Sequence, residues 1–132
     1  MCVFCKIIGG EIPSFKVYET ENVICFLDIN ASSKGHTLIV PKKHVINMFD
    51  VTDEIMCDIA KAINYITKLL KEKLGVEAVN VINNSGEKAG QTVMHLHYHV
   101  IPRYDNDGIV ISPKQNEPDF DKLKNVLEEL QK

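Results

Sequence analysis

His95-Leu96-His97-Tyr98-His99-Val100-Ile101 is the stretch that decides both fold and chemistry. Alternate residues of a β-strand share a face. The period of two therefore predicts a strand with His95, His97 and His99 on one side and Leu96, Tyr98 and Val100 turned into a core. Three imidazoles in a row suit neither an apolar core nor an ordinary solvated face, which is more often built from Thr, Lys or Glu. Imidazole can act as nucleophile, base or hydrogen-bond donor near neutral pH, and it is also the commonest metal ligand. Spacing alone thus leaves catalytic, phosphate-binding and metal-binding uses open.

The preceding loop, Asn83-Asn84-Ser85-Gly86-Glu87-Lys88-Ala89-Gly90-Gln91-Thr92, narrows the choice. Glycines let backbone N–H groups of a turn approach an anion closely. Gln91 and Thr92 add an amide and a hydroxyl beside the imidazoles. Phosphoryl chemistry depends mostly on such fixed donors, through positioning and charge stabilisation.

Working outward, Lys16–Tyr18 and Val23–Leu27 read as strands flanking a turn, and His36–Val40 as a third strand stopped by Pro41. Thr52 caps a long helix whose Ile55, Ile59, Ala62, Ile63, Ile66 and Leu70 recur at helical spacing until Gly75. Ala78–Ile82 and Val93–Ile101 supply two more strands, and Asp119–Gln131 a final amphipathic helix. Residues 1–10 read as a short helix or turn closed by Gly9-Gly10. Hairpin-ordered strands with segregated helices predict an α+β fold on an antiparallel sheet, one domain over residues 1–132.

Composition removes several classes of function. With 45% hydrophobic and 25% charged residues, the chain matches an ordinary globular protein. Its net charge of −3 and scattered 15 Lys and Arg provide no basic groove for nucleic acid. No apolar run suits a signal peptide or a membrane span, which predicts a cytoplasmic protein. In that reducing compartment Cys2, Cys5, Cys25 and Cys57 are not a disulfide framework. Cys2-x-x-Cys5 lacks the βαβ context of a thioredoxin-like pair. Its spacing suits two thiolates on one Zn²⁺, with two reduced buried cysteines as the alternative. Cys25 and Cys57 read as core.

Gly90 to Arg103, carrying His-x-His-x-His-x-x with apolar x, resembles the signature of the histidine triad family. The likeness extends to Cys2–Ile8, to Phe26–Ile29 and to Gly35–His44; the segment after Arg103 carries no such landmark. The resemblance implies a five-stranded antiparallel sheet with one long helix, and a homodimer formed through that helix and a sheet edge. It implies hydrolysis at the α-phosphorus of a purine nucleotide or its conjugate. His97 would be the nucleophile of a covalent nucleotidyl-imidazole intermediate, His99 a phosphate contact, and His36 and His95 supports.

It further implies that Asp28 holds the ribose hydroxyls, as a carboxylate accepting from two neighbouring donors. Phe4, Ile7, Leu27 and Ile29 would enclose the base, while Gly90, Gln91, Thr92 and Val93 line the phosphate. An Asn seven residues before the Gln is Asn84; an insertion in the loop would move that role to Asn83. Zinc-bearing members imply a structural Zn²⁺ on Cys2, Cys5, His44 and His95. Thr92, and the absence of Trp, set the chain apart from many phosphoramidase members and leave an amine or a nucleotide as leaving group. A nucleotide sensor with negligible turnover, or a zinc-held interaction module, are the non-enzymatic alternatives.

Overall fold

The computed structural model describes residues 2–132. Five strands, β1 (Lys16–Glu19), β2 (Val23–Leu27), β3 (Thr37–Pro41), β4 (Val79–Ile82) and β5 (Tyr98–Pro102), form one sheet in the order β1-β2-β3-β5-β4. Every neighbouring pair is antiparallel. The central strands β2 and β3 are buried on both faces because a helix covers each. Val23, Cys25, Ile39, Leu96 and Val100 pack on one side against the helix α2 (Asp53–Leu74), through Ile59, Ala62, Ile66 and Leu70. Ile24, Phe26, Leu38 and Val40 pack on the other against Phe4 of a short helix α1 (Val3–Ile8). Such two-sided burial explains why β2 and β3 read as unbroken apolar runs.

The caps of α2 are those its sequence predicts. Thr52 Oγ1 accepts from the Ile55 N–H at 3.3 Å, and Gly75 closes the helix at φ +68°, a conformation that favours glycine. Asp53 and Glu54 in the first turn, with Lys71 and Lys73 in the last, complement the helix dipole. Cys57 departs from expectation: it is exposed. Lying two positions before Ile59, it sits about 200° round the helix from the buried stripe.

The histidine strand is shorter than its pattern suggests. Ladder pairing starts only at Tyr98, opposite Ile39, although the division of faces persists back to Leu96. Two register steps further, opposite Leu96, Pro41 has no N–H to give, and its carbonyl accepts from His95 Nε2 at 2.8 Å. On the other flank the Asn83 side chain, not a strand backbone, donates to the His97 carbonyl at 3.0 Å. The loop before it is also partly helical, with a 3₁₀ turn at Glu87–Ala89.

After β5 the chain is clamped beside β4. The Arg103 N–H donates to the Ala78 carbonyl at 2.8 Å, and its guanidinium reaches Asn80 Oδ1 at 2.7 Å and Asp107 Oδ2 at 2.9 Å. The final helix α3 (Phe120–Leu130) forms where predicted, yet none of its residues is buried.

Candidate active site

Two clusters meet on the α1 side of the sheet, with Phe4 between them. Its ring lies edge-on to His95 at 5.9 Å and to His97 at 5.0 Å.

The first cluster contains Cys2, Cys5, His44 and His95, whose ligand atoms all lie within 4.8 Å of one another. Cys2 caps α1, its Sγ accepting from the Cys5 N–H at 3.1 Å. The four sulfur-to-Nδ1 separations run from 3.3 to 3.7 Å, and the two Nδ1 atoms lie 3.1 Å apart. A tetrahedral zinc with about 2.3 Å bonds to sulfur and about 2.05 Å to nitrogen has edges of about 3.6 Å and about 3.3 Å. The residues therefore fit a tetrahedral Cys2His2 metal. The imidazole of His95 is set for it: Nε2 donates to the Pro41 carbonyl, leaving the Nδ1 lone pair on the metal side.

The second cluster borders a pocket of about 370 Å³, within the roughly 300–1,000 Å³ usual for small ligands. Its floor includes Phe4, Ile7 and Phe26; Leu27 and Ile29 stand at the mouth, and Asp28, Thr92, Val93, His97 and His99 supply polar groups. Ile29 is 84% exposed and Leu27 37%, apolar surface that a ligand in the pocket would cover. Ile12, Pro13 and Phe15 also line the pocket, which local sequence pattern does not reveal. They arrive there because the Leu27 N–H donates to the Phe15 carbonyl at 3.0 Å, folding this segment over the end of β2.

Hydrogen bonds assign the imidazole tautomers. His97 Nδ1 lies 2.8 Å from the carbonyl of His95. A carbonyl can only accept, so Nδ1 carries the proton and Nε2 keeps a free lone pair. His36 Nδ1 accepts from the Ser32 N–H at 3.0 Å, so its Nε2–H donates to His99 Nδ1 at 2.9 Å. His99 is thereby left with Nε2–H as a donor. Asp28 Oδ2 lies 3.5 Å from His36 Nε2, while Asp28 Oδ1 accepts from the Asn30 N–H at 2.8 Å, fixing the carboxylate at the end of β2.

Burial pushes the pKa of His36 down, against the pull of Asp28. His99 is pushed down to about 4 by burial, reinforced by the neighbouring His97 and His36 rings. Both are neutral at neutral pH. Asp28, His36 and His99 also lie close enough to suggest a second metal group. The Ser32 N–H, however, occupies the His36 lone pair at Nδ1, so Nε2 presents a proton where a ligand atom is required.

The remaining predicted residues divide. The N–H groups of Thr92 and Val93 make no hydrogen bond within the described chain, and both residues border the pocket beside His97. Gln91 is buried, and its side chain is fully engaged inward. Oε1 accepts from Asn47 Nδ2 and the Gly86 N–H, and Nε2 donates to the Ile46 and Val93 carbonyls. The N–H groups of Gly90 and Gln91 are spent within the turn, on the Glu87 and Gly86 carbonyls. These two residues shape the loop and do not line the pocket. Neither does His95, which belongs to the cysteine cluster. Asn83 is committed to the His97 carbonyl and to Ser85, whereas Asn84, beside Gly90, has its amide free.

The HIT domain family matches residues 9–106. An adenosine 5'-monophosphoramidase of Saccharomyces cerevisiae is 42% identical over 130 residues, covering 98% of this chain and 80% of its own. The crystal structure of a histidine triad nucleotide-binding protein from Candida albicans superposes with a TM-score of 0.91 at 40% identity, covering 99% of this chain and 95% of that one. A zinc-bound histidine triad family protein from Mycobacterium smegmatis gives 0.79 at 34% identity, with coverages of 98% and 95%.

Proposed function

The chain belongs to the HIT domain family, and on that premise we propose that it hydrolyses a purine nucleotide conjugate at the α-phosphorus by way of a nucleotidyl-His97 intermediate. The observation that carries this reading is the free Nε2 lone pair of His97 at the pocket wall, with its other nitrogen tied to the His95 carbonyl.

The base enters between Phe4 and Ile7 on one side and Leu27 and Ile29 on the other. The ribose hydroxyls donate to Asp28. The phosphoryl oxygens take the N–H groups of Thr92 and Val93 and the Nε2–H of His99, with the Asn84 amide as a further donor from the loop. His97 Nε2 forms a bond to phosphorus as the bond to the leaving group breaks, the electron pair departing with that group. Positive charge then develops on the imidazole, and the His95 carbonyl at Nδ1–H stabilises it where it appears. Water attacks phosphorus in the second step, returning the electron pair to Nε2 and releasing nucleoside monophosphate.

Zn²⁺ on Cys2, Cys5, His44 and His95 is structural in this reading, since four protein ligands leave no open position. When bound it joins α1, the turn after β3 and the approach to β5. The unpaired edge of β4 supports a homodimer.

The test is monophosphate release from an adenosine phosphoramidate and from a dinucleoside polyphosphate. The relative rates distinguish an amine from a nucleotide as leaving group. His97→Ala should abolish turnover while leaving monophosphate affinity within about tenfold, because a nucleophile acts mainly in the transition state. A phosphorus-bearing imidazole should be trapped from the wild type by quenching in alkali. Retention of most activity by the variant would remove His97 as nucleophile.

A further inference from the structure

The helix α3 is well formed but lies apart from the body. Asp119 caps it, Oδ1 accepting from the Lys122 N–H at 3.1 Å. Its stripe of Phe120, Leu123, Val126, Leu127 and Leu130 is 50–79% exposed. An isolated 11-residue helix is marginal in water, so this one needs a surface to pack on. The chain's own body offers none beneath it, because α1 and α2 already cover the two faces of the sheet. Residues 110–118, which lead to α3, are exposed and make no hydrogen bond within the described chain.

The point of departure indicates the occupant. Arg103 and Asp107 fix the exit of this arm beside Ala78 and Asn80, at the start of β4, and β4 is a free sheet edge. Two copies joined at that edge by a two-fold axis pair their β4 strands antiparallel, which sets the Val79 end of one against the Ile82 end of the other. Next to the Ile82 end lies an exposed apolar patch, Ile46, Met48 and Phe49, at 45%, 42% and 87% exposure. The Met48 N–H donates to Ser85 Oγ at 3.0 Å in the loop that follows β4, holding the patch there. A four-residue strand spans only about 13 Å, and its pairing alone buries little of the roughly 1,200 Å² a stable interface needs. The nine residues from 110 to 118 can reach about 30 Å when extended, enough to cross that strand.

We propose that α3 is an exchanged arm: in a homodimer its apolar stripe docks on the Ile46–Phe49 patch of the second copy. The proposal rests on the homodimer reading above. It also places the arm against the phosphate loop, because Gln91 Nε2 donates to the Ile46 carbonyl and Asn47 donates to Gln91.

The test uses the full zinc-loaded chain with a photo-crosslinking benzoylphenylalanine in place of Leu123. Irradiation should give a covalent dimer on a denaturing gel, with the crosslink mapped to the peptide that contains Ile46 to Phe49. Sedimentation of Leu127→Asp and of Phe49→Asp should each show dimer association weakened tenfold or more. A wild type that stays monomeric up to about 100 μM would sink the homodimer reading and the arm with it. A stable dimer whose crosslinks all lie within one chain, or outside the Ile46–Phe49 peptide, would overturn the arm alone. So would dimer affinity unchanged in both variants, the result expected if α3 serves a different protein.

Discussion

Removing the metal gives the sharpest quantitative test of the Cys2-Cys5-His44-His95 cluster. The ligand atoms already stand at 3.1–3.7 Å, close to the edges of a zinc tetrahedron, so little reorganisation opposes binding. That places the site near the upper end of the roughly 10–16 kcal/mol range for structural zinc, a Kd of about 1 pM. A metal that binds only the folded chain stabilises it by RT ln(1 + [Zn]/Kd). With free zinc buffered near 1 nM, a thousandfold above that Kd, the gain is about 4 kcal/mol. For a domain of this length, 1 kcal/mol moves Tm by about 3–5 °C, so full depletion should lower it by about 10–20 °C. Each tenfold fall in free zinc should remove about 1.4 kcal/mol, or about 4–7 °C, down to the Kd. Thermal unfolding followed by circular dichroism in a series of metal buffers, with bound zinc measured by mass spectrometry, reads this slope directly. A Tm indifferent to free zinc over three decades, or a Cys2→Ser, Cys5→Ser protein with full metal content, would refute the assignment. Complete loss of activity at unchanged Tm would instead indicate a catalytic metal.

Asp28→Asn should weaken monophosphate binding by about 1–3 kcal/mol, the usual loss for a hydrogen bond to a charged group, and calorimetry with AMP and GMP checks it. Gln91→Ala, which removes four inward hydrogen bonds, should cost about 2–4 kcal/mol in urea unfolding and lower kcat as the loop loosens. Stability should also fall as pH drops from 6.5 towards 4. In that window the unfolded chain protonates His99 while the fold, with its pKa near 4, resists; the same burial acts in the same direction on His36. The loss should be about 1–3 kcal/mol between pH 7.5 and 4.5, and smaller in a His99→Gln variant, which retains the contribution of His36.

Much of this molecule can be read from its residues, because the informative positions obey short-range rules. The alternation around His97 separates the two faces of the sheet, and Thr52 and Gly75 mark both ends of α2. The HIT-like five-stranded sheet has the predicted form. What escapes the sequence depends on partners distant along the chain. Val93–Leu96 stays out of the ladder where Leu96 falls opposite Pro41, a proline on another strand. Phe15 enters the pocket through one backbone bond to Leu27. The residue type of Gln91 suits a phosphate donor, but four partners from two loops turn it inward. Cys57 shows the simpler limit: apolar character does not say which side of a helix a residue occupies.

His95 serves two masters through different atoms. Its side chain belongs to the cysteine cluster, while its main-chain oxygen holds the proton of the His97 ring. Substitution at this position therefore tests a tether and not only a ligand. An engineer seeking a metal-free version could not simply fill the cysteine cluster with apolar side chains. The replacement at 95 would have to keep the main chain where it is, with a donor to the Pro41 carbonyl and the neighbouring Leu96–Val45 bond intact. Otherwise the ring at 97 becomes free to turn, and its lone pair no longer has a fixed address.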